Sequence, residues 1–337
     1  MGGSSYSSDA FTSRLKSVRD SGASYFCHTA DVRSGKKAVG CHESLDPKKA
    51  NKAGVKIRES RDSDTHPESL AISVLFDVTG SMGMVPGKLV DKLNKLMSGL
   101  IEKGYVKHPH VMFGAIGDAT CDAVPLQVGQ FEAGNEMDST LANIYIEGGG
   151  GGQTRESYEL AMYYMSKYTS MDCLDKRGKK GYLFLVGDEM PYEEVKPGEV
   201  KEFIGDAMQS ALPIEKLLEE LREKFEVFWI YPHEGSYWGG GDSKEVKYLR
   251  KLFGQQLISL EKAEDVCELL VMTIGAAEGY DVHDIGKDLV SVGASADSVK
   301  RASKAVTPYV KTSSVAKTGS VNGKLPTTTG VDKVERL

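Results

Sequence analysis

An acidic residue and two hydroxyl residues alternate at the end of the first long apolar run of the chain. They are Asp77, Thr79 and Ser81 in the segment LAISVLFDVTGSMG, residues 70–83. Carboxylate and hydroxyl oxygens are ligands that hard divalent cations prefer. Taken alone, the segment also fits an ordinary turn or helix cap, in which Asp, Ser and Thr are common.

Two more oxygen-bearing residues occupy comparable places farther along the chain. Thr154 ends the glycine-rich segment GGGGGQT and precedes a helical pattern, and Asp188 follows the apolar run in KGYLFLVGDEM. Because ligands of open parallel sheets bind at the carboxyl ends of the strands, we expect these side chains to meet those of the first segment at one edge. The predicted metal ligands are Asp77, Thr79, Ser81, Thr154 and Asp188.

Strand and helix patterns alternate between residues 70 and 279. Near-continuous apolar runs are typical of strands buried on both faces, and apolar residues at helical spacing lie between them. The predicted strands are 70–77, 110–119, 124–131, 180–190, 226–232 and 255–262. The predicted helices are 87–104, 137–147, 155–168, 204–225 (interrupted or started at Pro213), 243–254 and 263–279. This order predicts an α/β fold, a doubly wound, mainly parallel six-stranded sheet with one antiparallel edge strand and helices on both faces.

The order of the motifs resembles the metal-ion-dependent adhesion site of von Willebrand factor A domains, in particular those of intracellular bacterial and phage proteins. DVTGS, the Thr of GGQT and the Asp of VGDE carry the resemblance, which covers about residues 70–279 and implies a Rossmann-like sheet. It implies that Thr79, Ser81 and Thr154 coordinate Mg²⁺, with Mn²⁺ as the alternative ion. Asp77 and Asp188 would act largely through bound waters.

One residue departs from the family pattern. Many members have Thr before the second Asp, whereas this chain has Gly187.

The resemblance implies a protein-binding function. Neutral hydroxyl ligands leave the cation short of negative charge, so an open coordination position accepts an Asp or Glu side chain from a partner protein. We therefore expect a non-enzymatic, Mg²⁺-dependent adaptor or assembly module. The alternative is a structural subunit of a homo-oligomer or larger assembly, with a stabilising metal site and with the basic arm and tail mediating assembly. A metal-assisted hydrolase is a third hypothesis, but the sequence contains no recognisable Ser-His-Asp order or catalytic carboxylate pair.

The charge distribution and the cysteine content indicate which partners and which cellular compartment to expect for this protein. The net charge is −6, with +3 in residues 1–69, −15 in residues 70–299 and +6 in residues 300–337. An acidic body repels nucleic acid and anionic membranes, so we expect neither as a partner. We find no apolar run long enough to span a bilayer and no secretory signal. Five scattered cysteines favour reduced thiols in a cytoplasm.

Three parts are predicted along the chain. Residues 1–69 form a polar N-terminal arm, residues 70–280 a von Willebrand factor A-like domain, and residues 281–337 a helical extension with a basic Ser/Thr-rich tail that begins at Thr307.

Other segments allow weaker hypotheses. The glycines before Thr154 are not a phosphate loop, because Gln153 stands where such a loop requires Lys. The pairs Cys27-His28 and Cys41-His42 contain zinc ligands, although their spacing differs from that of zinc fingers and chance explains them as well. The aromatic loop at residues 231–242 could contact a partner or simply half-bury its Trp.

Overall fold

A six-stranded sheet forms the centre of the molecule in this computed structural model, which describes residues 5–49, 56–83, 85–149, 154–236 and 238–318. Apolar side chains from the sheet and from the helices around it form one large core. The largest side chain that is fully buried in this core is that of Trp229.

Strands in the described part of the chain belong to the central sheet or to three two-stranded ladders. They are β1 (Arg58–Ser60), β2 (Ser69–Asp77), β3 (His108–Ile116), β4 (Leu126–Val128), β5 (Arg155–Glu156), β6 (Thr169–Met171), β7 (Gly181–Val186), β8 (Met190–Pro191), β9 (Glu194–Val195), β10 (Leu212–Pro213), β11 (Phe225–Pro232) and β12 (Leu257–Leu260).

Helices in the described residues lie before, between and after these strands. They are α1 (Ser8–Asp20), α2 (Cys27–Arg33), α3 (Val85–Ile101), α4 (Glu136–Ala142), α5 (Tyr158–Lys167), α6 (Asp172–Asp175), α7 (Pro197–Glu199), α8 (Ile214–Lys224), α9 (Lys244–Phe253), α10 (Val266–Ala277), α11 (Val282–Ser291) and α12 (Ala296–Thr318).

The strand order in the central sheet is β12-β11-β7-β2-β3-β4. Neighbouring strands are parallel except for β3 and β4, which pair antiparallel at the edge. The predicted fold class is therefore confirmed. Because β2 and β7 are adjacent and parallel, with Phe76 opposite Val186, the residues that follow both strands meet at the same edge of the sheet.

Helices cover both faces of this sheet, as the contacts of two consecutive residues in β11 show. The Phe228 ring lies 5.1 Å from that of Tyr309 in α12, whereas the Trp229 ring contacts Tyr158 in α5 and Phe253 in α9. Successive side chains in a strand point to opposite faces. Helix α12 therefore covers one face, and α5 and α9 cover the other.

One predicted helix begins later than its sequence pattern indicated. The helix expected at 155–168 begins at Tyr158, because Arg155 and Glu156 pair as strand β5 with Met190 and Pro191. In the stretch 204–225, α8 begins directly after Pro213, which agrees with the predicted start at this proline.

Part of the predicted N-terminal arm is folded onto the body. The side chains of Phe11 and Leu45 are buried in the main core, and α1 packs against α3. Arg14 in α1 pairs with Asp138 in α4 at 2.8 Å. The domain boundary at 69/70 stays a prediction, but these contacts make the arm a contributor to the stability of the body.

The C-terminal extension also packs on the body. In α12 the side chain of Val306 is fully buried, and the Arg301 guanidinium donates to Asp265 Oδ1 at 2.8 Å. The tail predicted from Thr307 therefore begins inside a helix that continues to Thr318. Residues 319–337 of this tail lie outside the described residues.

Among the described residues, none of the helices has both the length and the apolar character that spanning a membrane requires.

A buried histidine near the start of β3, His110, is expected to make the folded protein less stable at acidic pH. Burial, and then the charge of His66, lower the pKa of His110 to about 4, with His108 acting in the same direction and Asp62 opposing it. Since unfolded His has a pKa near 6.5, protons bind preferentially to the unfolded chain between these two values. Stability from this residue is therefore complete above about pH 6.5 and declines as the pH falls toward 4.

We expect His110→Asn to remove about 2.4 kcal/mol of the loss in unfolding free energy between pH 7 and pH 4.5. Urea denaturation at pH 7 and pH 4.5 measures it, with the exposed His283→Asn as the control that keeps the wild-type pH slope. An unchanged slope in His110→Asn would contradict the assignment.

Candidate metal centre

The centre begins at Asp77, the last residue of β2, whose side chain is completely buried. Its Oδ1 atom accepts hydrogen bonds from the backbone N–H of Thr79 at 2.7 Å and from the Thr79 hydroxyl at 2.6 Å. These bonds turn the chain sharply after the strand, as Asp side chains commonly do. They bring a hydroxyl beside a carboxylate at the carboxyl edge of the sheet.

Ser81 connects this turn to the loop that follows β7. Its hydroxyl lies 3.3 Å from the Thr79 hydroxyl and donates to Asp188 Oδ1 at 2.9 Å. A continuous run of hydrogen bonds thus joins Asp77, Thr79, Ser81 and Asp188. The structure brings together four of the five residues that the sequence predicted.

Thr154, the fifth predicted residue, is placed at the same edge by its backbone. Its carbonyl accepts from the N–H of Met190, two residues after Asp188, at 3.2 Å. The glycine segment before it also reaches this edge, since Gly149 O accepts from the N–H of Gly80 at 2.8 Å. Residues 150–153 of that segment lie outside the described residues.

Tyr158, at the start of α5, holds the other side of the Asp77 carboxylate. Its hydroxyl donates to Asp77 Oδ2 at 3.0 Å, and its ring lies 4.4 Å from that of Trp229. Burial, and then the charge of Asp77, hold the pKa of Tyr158 well above its usual range, so this hydroxyl remains a donor.

The same tyrosine explains Gly187, the departure from the family pattern. A Cβ atom at residue 187 would lie 1.7 Å from the Tyr158 hydroxyl. A threonine therefore has no space here, and Tyr158 supplies a hydroxyl to the site in its place.

Two buried glutamates that the sequence interpretation did not assign also belong to this edge. Carboxylate oxygens of Glu156 and Glu189 lie within 4.8 Å of each other and of an Asp77 oxygen. Glu156 had been placed in a helix, but the ladder between β5 and β8 makes its segment extended. Alternation along an extended segment puts Glu156 on the same side as Thr154, which is the signal that could have identified it.

Burial and mutual repulsion make these carboxyl groups harder to ionise than carboxyl groups in water. Burial raises the pKa of Asp77 to about 7, with the charges of Asp188 and Glu189 adding to the effect and the Thr79 hydrogen bonds opposing it. Burial, the charge of Asp77 and a hydrogen bond with Glu189 raise the pKa of Glu156 well above its usual range. The donors are all oxygen, and the excess of negative charge is buried, which fits a hard divalent cation.

The loop after β11 approaches the centre closely. A Cβ atom at Gly235 would lie 2.3 Å from Asp188 Oδ2, and the Ser236 N–H donates to Ser81 O at 3.3 Å. In the same loop, the half-buried Trp238 stacks on His233 with 3.5 Å between ring centroids. Both hypotheses for this aromatic loop, partner contact and partial burial, remain compatible with the half-buried ring.

Asp118, which follows β3, lies at the same rim and is buried. It accepts from the Thr120 hydroxyl at 2.9 Å and from the Tyr192 hydroxyl at 3.0 Å. These two hydroxyls hold the Asp118 carboxylate in a fixed position at this rim.

The four residues considered as zinc ligands do not converge in the structure. The rings of His28 and His42 lie 5.2 Å apart, but the Cys27 thiol donates to Ala142 O and the Cys41 thiol to the carbonyl beside it. Within the described residues, the one set of three or more potential His, Cys, Asp or Glu ligands close enough to share an ion is Asp77, Glu156 and Glu189.

Comparison with known proteins gives distant similarity in structure. No family model and no curated protein matches the sequence. The pilus adhesin SpaC of Lactobacillus rhamnosus GG is similar with 10% identity and a TM-score of 0.42, over 65% of this chain and 31% of the adhesin. Proximal thread matrix protein 1 of the mussel byssus has 12% identity and a TM-score of 0.40, over 61% and 48%.

A third similar structure is a von Willebrand factor type A protein from Catenulispora acidiphila. It has 12% identity and a TM-score of 0.37, over 64% of this chain and 44% of its own. The chain spans less than half the length of each of these three proteins.

Proposed function

We propose that the chain is a non-enzymatic, cytoplasmic, Mg²⁺-dependent protein-binding module of the von Willebrand factor A type, which acts as an adaptor or assembly factor. The observation that carries the proposal is the hydrogen-bonded run from Asp77 through Thr79 and Ser81 to Asp188. These residues come from two loops far apart in the chain and meet at the edge where open sheets bind ligands.

Each side chain has a role that its contacts support. Thr79 and Ser81 present hydroxyl oxygens beside buried carboxylates, and Thr154 ends a loop that reaches the same edge. Asp77 and Asp188 orient these hydroxyls and supply negative charge. Mg²⁺, or Mn²⁺ as the alternative, would supply a Lewis acid with a coordination position open to a carboxylate.

The surface beside this centre suits an acidic partner. A cavity of about 440 Å³ is lined by Gly83, two residues after Ser81, by Lys88 in the first turn of α3 and by Arg33 at the end of α2. Asp91 also lines this cavity, so its lining carries a net charge of +1, whereas residues 70–299 carry −15. A partner segment that offers an Asp or Glu to the ion would find complementary charge here.

The alternative, a structural subunit with a stabilising metal site, receives less support from the contacts of the flanks. Phe11 and Leu45 in the N-terminal part and Val306 in the C-terminal part are buried in the chain's own core. These portions of the basic flanks are therefore used in folding and are not available for assembly.

The Ser81→Ala variant tests the proposed function. Loss of one hydroxyl and of its bond to Asp188 is expected to weaken Mg²⁺ binding about tenfold in calorimetric titration, because one such interaction contributes about 1–1.5 kcal/mol. Co-purifying proteins should disappear both in this variant and when a chelator is added to the wild type. Ser291→Ala, which removes an exposed hydroxyl on α11, should change neither result.

Partner capture or self-association that persists unchanged in chelator would contradict the proposal and favour the structural alternative.

A further inference from the structure

Three buried carboxylates form a set of their own beside the hydroxyl-lined centre. Asp77, Glu156 and Glu189 are 0%, 3% and 3% exposed, and one oxygen of each lies within 4.8 Å of the other two. The Oε2 atom of Glu156 has no hydrogen-bond partner among the described residues. A buried carboxyl oxygen without a partner is costly, and most costly when the group is ionised, unless a ligand completes it.

We propose that Asp77, Glu156 and Glu189 bind a second divalent cation, separate from the ion of the hydroxyl-lined centre. With metal–oxygen distances of about 2.1–2.5 Å, two ligand oxygens on opposite sides of an ion lie about 4.2–5.0 Å apart. Oxygens within 4.8 Å of one another can therefore share one ion. Asp77 belongs to both sets of residues, since its Oδ1 atom accepts from the Thr79 hydroxyl and its carboxylate is one of these three. The second position needs neither Ser81 nor Thr154.

The chemistry of this position differs from that of the hydroxyl-lined centre. Three carboxylates more than neutralise a divalent ion, and their burial leaves little room for bound water. Such a site favours Mn²⁺ or Ca²⁺ over Mg²⁺, which dehydrates reluctantly. An ion held here is fixed and structural, and it is not an electrophile open to a partner.

The position also connects segments that are distant in the chain. Glu156 lies in β5 and Glu189 directly precedes β8, and these two-residue strands pair only through Arg155 with Met190 and Glu156 with Pro191. An ion that joins Glu156 and Glu189 to Asp77 would fix this short ladder to the end of β2. It would thereby hold the segment that carries Thr154 against the edge of the sheet.

Counting bound Mn²⁺ tests the inference on the full chain. Equilibrium dialysis with metal analysis is run at a free Mn²⁺ concentration that largely fills a wild-type site but leaves a site of tenfold lower affinity mostly empty. The count should then approach two ions for the wild type and one each for Glu156→Gln, Glu189→Gln and Ser81→Ala. Glutamine keeps the shape of glutamate and removes the charge, and if one glutamine variant does not fold the other decides. Glu132→Gln, a half-buried glutamate paired through its backbone with Val111, is the control and should keep both ions.

The counts separate failure of this inference from failure of the proposed function. An ion kept in Ser81→Ala but lost in both glutamine variants supports the carboxylate position, even if the wild type binds that ion alone. An ion lost in Ser81→Ala but kept in both glutamine variants, with one ion in the wild type, overturns the inference and leaves the proposed function standing. Loss of all Mn²⁺ in every one of these three variants would also overturn it, since it would indicate a single shared site.

Discussion

Replacing Asp77 with Asn should reduce affinity for divalent cations at least a hundredfold and leave the cation-free protein as stable as the wild type or more so. Asp77 contributes to both proposed cation positions, so its charge is the one whose removal affects both. In the absence of an ion, the same carboxylate is fully buried beside Glu156 and Glu189. Removing the charge therefore relieves a desolvation and repulsion cost that the ion otherwise offsets.

Asparagine can keep most of the local hydrogen bonds. Its oxygen accepts from the N–H and the hydroxyl of Thr79, as Asp77 Oδ1 does, and its amide faces the Tyr158 hydroxyl, which can accept a hydrogen bond. The loop should consequently retain its shape. Urea denaturation in chelator is expected to show an unfolding free energy equal to that of the wild type or about 1–2 kcal/mol higher.

The matched control is Asp138→Asn, another buried aspartate, which pairs with Arg14 at 2.8 Å and belongs to neither proposed cation position. Loss of this pair should lower the unfolding free energy by about 1–3 kcal/mol and leave cation binding unchanged. Calorimetric titration with Mg²⁺ and Mn²⁺ measures the affinities. Wild-type affinity in Asp77→Asn, or destabilisation as large as in Asp138→Asn, would refute the assignment of Asp77.

The central sheet could be predicted because its signals are local. The runs that became β2 and β7 are apolar at nearly every position, as strands buried on both faces are, and helical spacing separates them. Once such strands are parallel neighbours, topology alone places the residues after them at one edge. That is why Asp77 and Asp188 could be assigned to one site from the sequence.

The remaining features depend on pairings between distant segments. Glu156 lies in a segment whose apolar residues have helical spacing, and the start of this segment is extended because β5 pairs with β8. Phe11 and Leu45 lie in a polar stretch without periodicity, so their burial depends on surfaces supplied by later elements. The reason for Gly187 lies in Tyr158, 29 residues earlier, whose ring position is set by packing on Trp229.

The three buried carboxylates distinguish this edge of the sheet from a cation site built of hydroxyl ligands alone. A cation bound by hydroxyls alone stays electrophilic, whereas one bound by three carboxylates does not. This chain places both ligand types at one edge and joins them through Asp77. Occupation of the carboxylate position would fix the loops, and the hydroxyl position would then remain the one suited to capture a partner's carboxylate.

Gly187→Ala should be among the most destabilising glycine substitutions in the described chain. The added Cβ would lie 1.7 Å from the Tyr158 hydroxyl and 2.5 Å from Cζ, and the tyrosine is fully buried against Trp229. Because the ring cannot move away without disturbing the core, we expect a loss of about 3 kcal/mol in unfolding free energy, the upper end for overpacking. Displacement of Tyr158 should also weaken cation binding through Asp77.

A double-mutant cycle with Tyr158→Ala isolates the clash from other effects of the added methyl group. Tyr158→Ala alone should cost about 3–5 kcal/mol, as large-to-small changes in cores do. In that background there is no ring to meet residue 187, so the added methyl should cost less than about 1 kcal/mol, a coupling of about 2 kcal/mol. Gly198→Ala in α7, where a Cβ meets nothing within 4 Å, is the control and should be neutral or slightly stabilising. Equal costs of Gly187→Ala in the two backgrounds would show that Tyr158 is not what excludes a side chain at this position.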